Sequence, residues 1–131
     1  MKTENCACGR NKSYDEFCSL IHKDIFLAKT AEDLMRSRYT AFVKANGDYL
    51  MQSQHSSTRK PTTKHDTVRW AMSVKWQGLE IIDAVRGSES DEQGTVEFKA
   101  FFMERFMNRS IHENSVFIKE NGHWVYFGEA G

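Results

Sequence analysis

All three cysteines of this 131-residue chain, Cys6, Cys8 and Cys18, fall within its first 18 residues. An odd number of thiols at such close spacing does not read as the disulfide framework of a secreted protein. It reads as a metal site. Zinc takes four ligands in a tetrahedron and is held well by thiolate sulfur at about 2.3 Å, and Gly9 permits a tight backbone turn just after the first pair of thiols. Three thiolates leave one position to fill. His22 stands four residues after Cys18, a spacing that puts both side chains on one face of a helical turn. Asp15, Glu16 or a water are the other candidates. Thiol exchange fits less well, because such catalysts usually place two residues between their thiols and only one separates Cys6 from Cys8.

A second set of reactive types lies further along. Arg36 and Arg38 flank Ser37; on a helix they point about 200° apart, so both cannot face one ligand. Arg38 is four residues from Leu34 and from Phe42 and shares their inward stripe, whereas Arg36 is left for solvent or an acidic neighbour. A buried arginine needs an anionic partner, and Glu97 or Glu113 could supply it as an ion pair between helix and sheet. The alternative is an anion clamp for a carboxylate or phosphate. Tyr39, His55, Trp76, Glu97, His112 and Glu113 are the other polar or aromatic candidates to line a pocket. A histidine beside a glutamate could run acid–base chemistry. His112 and Glu113, however, are neighbours on a strand and point to opposite faces, and His55 is as readily a capping or loop histidine. The sequence has no phosphate-cradling glycine loop, no G-x-S-x-G elbow and no H-E-x-x-H.

These residues need elements to position them. The chain is 40% hydrophobic, with nine Phe, four Tyr and three Trp, and has a single proline, so it is expected to fold as one body. Eighteen basic residues balance eighteen acidic ones. That neutrality argues against nucleic acid as a partner, since phosphate binding usually brings a basic excess. No stretch approaches the ~20 apolar residues that cross a bilayer, and Met1 to Asn5 carry no apolar core of the kind expected of a signal peptide. The expected compartment is the cytoplasm.

Residues 1–23 read as a knuckle too small to have its own core, and 24–131 as the main domain. Thr30 is a candidate N-cap with Asp33 three residues on, opening a helix to about Ala45 that Asn46-Gly47 ends. Asp48 is expected to cap a second, short helix ending near His55. Residues 56–64 are a polar loop, and a third helix fits 65–74 with Val68, Met72 and Trp70 inward. The period then changes to two. Strands are expected over Val74–Val85, Thr95–Phe106, Ile111–Lys119 and Trp124–Phe127, with turns at Asn108-Arg109 and Asn121-Gly122. Helices followed by antiparallel strands make an α+β plan.

With those elements placed, the chain resembles the YchJ-like family of bacterial proteins over nearly its whole length. The N-terminal CACGRNKSYDEFC is similar to the metal-binding SEC-C motif, TAEDLMRSRYTAFVKANGDYL (residues 30–50) looks like the family's most recognisable block, and His55 and Arg59 stand where its His and Arg usually do. VEFKAFF (96–102) and IHENSVFIKENGHWVYFGEAG (111–131) match its C-terminal half. The resemblance implies a nuclear transport factor 2-like (cystatin-like) cone: a strongly curved antiparallel sheet wrapped around helices, a scaffold that hosts enzymes, ligand binders and dimerisation modules alike. It also implies that the second SEC-C ligand pair should fall at 17 and 18, which here are Phe17 and Cys18. In the SecA motor that motif looks like a zinc-dependent docking element. The expected function is accordingly a small binding or protein-docking module with a zinc site, taking a protein partner or a small-molecule ligand, with a homodimer across the open sheet face fitting the fold. The alternative is a small lyase, isomerase or hydrolase using the cone's interior, with Arg38, His55 and Glu97 as its first residues to test.

Overall fold

The computed structural model describes residues 5–130. Behind the knuckle comes a helix that sequence periodicity does not reveal, α1 (Cys18–Lys23). Six residues are too few to display a helical stripe. A single 3-10 turn, Ile25–Leu27, follows, its first turn capped by the Asp24 carboxylate accepting from the Phe26 N–H. The long helix α2 (Ala31–Val43) begins as its sequence predicts, with the Thr30 hydroxyl accepting from the Asp33 N–H at 3.0 Å. The short α3 (Gly47–Gln52) is capped by Asn46, which accepts from the Tyr49 N–H, and not by Asp48. Asp48 lies inside the first turn and pairs with Lys64 instead. In α4 (Lys64–Ser73) Ala71 is buried and Val68 and Trp70 are half-buried, as expected of an inward side, while Met72 points to solvent with 73% of its surface exposed. The expected inward stripe of this helix is therefore one residue out of phase at Met72.

The strands are β1 (Lys75–Arg86), β2 (Gln93–Glu104), β3 (Met107–Glu120) and β4 (His123–Glu129), paired antiparallel in the order β1-β2-β3-β4. In β2 every second residue from Gly94 to Phe102 is buried, the period-two signature of a sheet with one covered face. Two irregularities in β1, at Trp76/Gly78 and Ile81/Asp83, bend the strand and add twist, which helps the sheet curl over α2. The β2–β3 turn falls at Arg105-Phe106, not at Asn108-Arg109: Glu104 pairs with Met107, and both turn residues have positive φ (52° and 65°). The missed turn has no Asn-Gly signal, and Asn108-Arg109 is absorbed into β3. The Asn121-Gly122 turn between β3 and β4 lies where expected, again with positive φ at both residues. At the other end, Gly87 and Gly94 let β1 and β2 approach closely, since a Cβ on Gly94 would lie 2.5 Å from the Gly87 Cα.

The inner face of the sheet closes on α2. Leu34, Tyr49, Leu50, Val96, Phe117 and Trp124 are fully buried there, and the Trp124 indole N–H is satisfied by the Lys29 carbonyl at 3.2 Å. Helices on one face of a four-stranded antiparallel sheet confirm the α+β expectation. Among the described residues no helix is long and apolar enough to cross a membrane.

Candidate functional site

Two places in this fold gather chemically able side chains, and α2 separates them. The first is the knuckle. Cys6, Cys8 and Cys18 are free, fully or almost fully buried, and their sulfurs all lie within 4.8 Å of one another. A short backbone loop forms this group: the Cys6 N–H donates to the Lys12 carbonyl at 2.6 Å, and the Gly9 N–H, at φ 86°, donates to the Cys6 carbonyl at 3.1 Å. Cys18 joins from the first residue of α1. Hydrogen bonds from Cys18 and Cys8 hold the Cys6 thiol well below the ordinary thiol range, while the same contacts with Cys6 and Cys8, together with burial, push Cys18 far up. Tetrahedral zinc at about 2.3 Å would set its sulfurs about 3.8 Å apart, so each pair has to close by no more than about 1 Å. The donor set fits a soft divalent metal.

His22 does not join the thiols. Its Nε2–H donates to the Ser37 carbonyl at 2.8 Å and its Nδ1 accepts from the Tyr14 hydroxyl at 3.0 Å, so both ring nitrogens are occupied. Burial holds it below the usual imidazole range. The helical spacing of Cys18 and His22 is real, but the ring is drawn to the α2 backbone. Phe17 packs beside the thiols with Tyr14, and the Arg10 guanidinium sits over its ring at 4.6 Å. An oxygen that sequence reasoning missed, Thr40 Oγ1, stands 3.4 Å from Cys6 Sγ; only the packing of α2 on the knuckle could have revealed it. The knuckle is clasped to that helix by Arg36, which donates to the Cys8 carbonyl at 2.7 Å and pairs with Glu32 at 2.9 Å, and by Arg10, which pairs with Asp33 at 2.9 Å. Arg36 thus finds the acidic neighbour expected of it.

The second place is a cavity of about 170 Å³ inside the cone, between α2, α4 and the sheet. Four of the predicted residues meet here: Arg38, Tyr39, Trp76 and Glu113. Arg38 is buried, as the stripe predicts, but its hydrogen bonds go to neutral acceptors: the Leu50 carbonyl at 3.0 Å, Ser53 Oγ at 2.7 Å and Gln54 Oε1 at 3.4 Å. The expected carboxylate partner is replaced by the C-terminal end of α3, where unpaired helix carbonyls are a natural cation acceptor. Its guanidinium also stacks 4.8 Å from the Tyr126 ring, and burial lowers it to about 10, which still leaves it charged at neutral pH. Glu113 accepts instead from the Tyr126 hydroxyl at 2.9 Å and from Ser115. Burial and the adjacent Glu113 push Tyr126 up to about 12. Tyr126, Ser53 and Gln54 had no local signal, because each matters only through a contact distant in sequence.

The remaining predicted residues stand elsewhere. Glu97 falls between the inward Val96 and Phe98 and so projects from the other face, where its carboxylate meets His112 Nε2 at 2.7 Å. His112 and Glu113 do take opposite faces. His55 is a loop histidine: its Nδ1 accepts from the Ser57 N–H at 3.0 Å, its ring packs against Phe127, and its Nε2 is 3.6 Å from Glu120. Arg59 donates to the Gln54 carbonyl at 2.9 Å. Arg38, His55 and Glu97 therefore form no common site.

A curved antiparallel sheet closed on a central helix, with a thiol knuckle strapped to that helix, defines a nuclear transport factor 2-like α+β protein carrying a cysteine-rich N-terminal element. Residues 30–129 match the family described as "YchJ, middle NTF2-like domain". The chain is 40% identical over 126 residues to a UPF0225 protein of Streptomyces coelicolor, covering 96% of this chain and 94% of that protein. It is 38% identical over 126 residues to a UPF0225 protein of Photorhabdus laumondii, covering 95% and 79%. Among solved structures, a SEC-C motif containing protein from Rhodopseudomonas palustris superposes with a TM-score of 0.85 at 32% identity, covering 98% of this chain and 99% of that one. A SEC-C motif containing protein from Psychrobacter arcticus gives a TM-score of 0.77 at 26% identity, covering 99% and 81%. The chain belongs to the YchJ-like, UPF0225 family.

Proposed function

We propose that this protein is a small, zinc-dependent binding module of the cytoplasm, in which Cys6, Cys8 and Cys18 hold the metal and the metallated knuckle docks a protein partner. One observation carries the reading: three buried free thiols, drawn from two segments of chain, converge within 4.8 Å. Three buried thiols left without metal gain little in such an arrangement, whereas one divalent cation would be coordinated by all three at once. A reducing compartment keeps the thiols available. The metal, when bound, would cross-link the loop at Cys6–Cys8 to the start of α1. The protein's own part is to aim the three sulfurs, bury them under Phe17 and fix the loop to α2 through Arg36 and Arg10. A catalytic reading has less support, since Arg38, His55 and Glu97 stand at three separate places.

The test is metal content by mass spectrometry on protein purified without added zinc, for wild type and Cys8→Ser. The reading expects about one zinc per chain in wild type and its loss in the variant. No metal in either protein would leave three reduced thiols as a packed plug and would end the zinc-dependent docking reading.

A further inference from the structure

The cone cavity has chemistry of its own, independent of the knuckle. Its volume of about 170 Å³ is close to that of a roughly 150 Å³ apolar cavity known to admit benzene. Phe42, Trp70, Trp76 and Tyr39 form one end as an edge-to-face cluster, with Trp70 and Trp76 5.4 Å apart. The indole N–H groups are committed elsewhere, Trp70 to Glu104 at 3.1 Å and Trp76 to the Ala71 carbonyl at 3.1 Å. That end of the cavity is therefore walled by ring carbon.

The other end is polar and balanced. Arg38 brings a positive charge, held in place by donation from Nη1 to Leu50 and Ser53 and from Nη2 to Gln54. Glu113 brings a negative charge, and both of its hydrogen bonds, from Tyr126 and Ser115, reach the same oxygen, Oε2. Among the described residues Oε1 accepts no hydrogen bond. A ligand carboxylate would be set beside the Glu113 carboxylate, and a ligand ammonium beside the Arg38 guanidinium. A neutral N–H or O–H meets neither penalty and completes the shell of Oε1.

We propose that the cone cavity binds a small uncharged aromatic molecule of the phenol or indole kind, its ring against Trp70 and Trp76 and its single donor on Glu113 Oε1. Two-dimensional NMR of the full chain, titrated with phenol, indole, benzoate and benzylamine, tests it. Phenol and indole are expected to shift the Trp70 and Trp76 indole resonances saturably, and both charged probes to bind at least tenfold more weakly. Glu113→Gln should weaken phenol about tenfold, the loss of a charge-assisted acceptor. Because Glu113 also anchors Tyr126 and Ser115, Ile111→Trp supplies a second variant, blocking the cavity from a half-buried lining position; it should abolish binding while leaving the fold's spectrum intact. No saturable shift with either neutral probe, a preference for benzoate or benzylamine, or unchanged phenol binding in Ile111→Trp would each overturn the proposal.

Discussion

The knuckle and the cone cavity use α2 in opposite ways. On one side Arg36 reaches the Cys8 carbonyl and Thr40 the Cys6 thiol, and on the other Arg38, Tyr39 and Phe42 reach the cavity. The knuckle's sulfurs come from positions 6, 8 and 18 and are set mainly by short-range backbone bonds. The cavity is assembled from α2, α4 and all four strands, and its polar end exists only when Glu113 on β3 meets Tyr126 on β4. Local chemistry can be strapped onto a fold, whereas an interior site is part of the core and shares its energetics.

Arg38→Ala is the sharpest way to break that comparison. It removes a buried group that donates to three acceptors and stacks on Tyr126, leaving unsatisfied carbonyls and a void. The expected cost is about 3 kcal/mol, read by urea denaturation, with Arg38→Met losing about half as much because it refills the space of the aliphatic stem. A wild-type midpoint for Arg38→Ala would mean the interior is not coupled to stability. The next effect is expected at the knuckle. Phe17→Cys would return a thiol to the position where the SEC-C pattern has a ligand, and should raise zinc affinity at least about tenfold in chelator competition, since four thiolates close a tetrahedral site. Unchanged affinity would show that position 17 cannot reach the metal.

The same contrast explains what was legible in the sequence. The cysteine cluster, the Thr30 cap, the period-two strands and the Asn121-Gly122 turn were readable because each is a short-range pattern. The inward phase of Arg38 was readable too, but its partners were not: a charged residue was expected, and the actual acceptors are neutral groups at the end of α3, twelve to sixteen residues away. His22 failed as a ligand for a related reason. Helical spacing places it on the face of Cys18, yet the Ser37 carbonyl and Tyr14 hydroxyl, neither visible from spacing, claim its nitrogens. The Arg105-Phe106 turn was missed because neither residue is a usual choice for positive φ.

The clasp between knuckle and helix offers a smaller effect. Arg36→Ala deletes the 2.7 Å bond to the Cys8 carbonyl and the pair with Glu32. A partly buried charge-assisted bond predicts a loss of about 1–1.5 kcal/mol, with zinc loaded onto the protein released faster to chelator than from wild type. Faster release with unchanged global stability would mean that the knuckle opens as its own unit; a fall in stability with unchanged release would mean that the clasp supports α2 and not the metal loop.

The smallest expected effect is that of His112→Ala, and it is informative because of the residue next door. His112 and Glu113 are adjacent on β3, yet one pairs with Glu97 on the outer face and the other completes the cavity. The His112 side chain is 51% exposed, so its 2.7 Å contact with Glu97 competes with water and salt. Loss of the ring should change stability by no more than about 0.5 kcal/mol and leave phenol binding in the cavity unaltered. A loss of ligand binding in His112→Ala would mean that the two faces of β3 communicate through the backbone, and that the strand's alternation does not isolate the interior site from its surface.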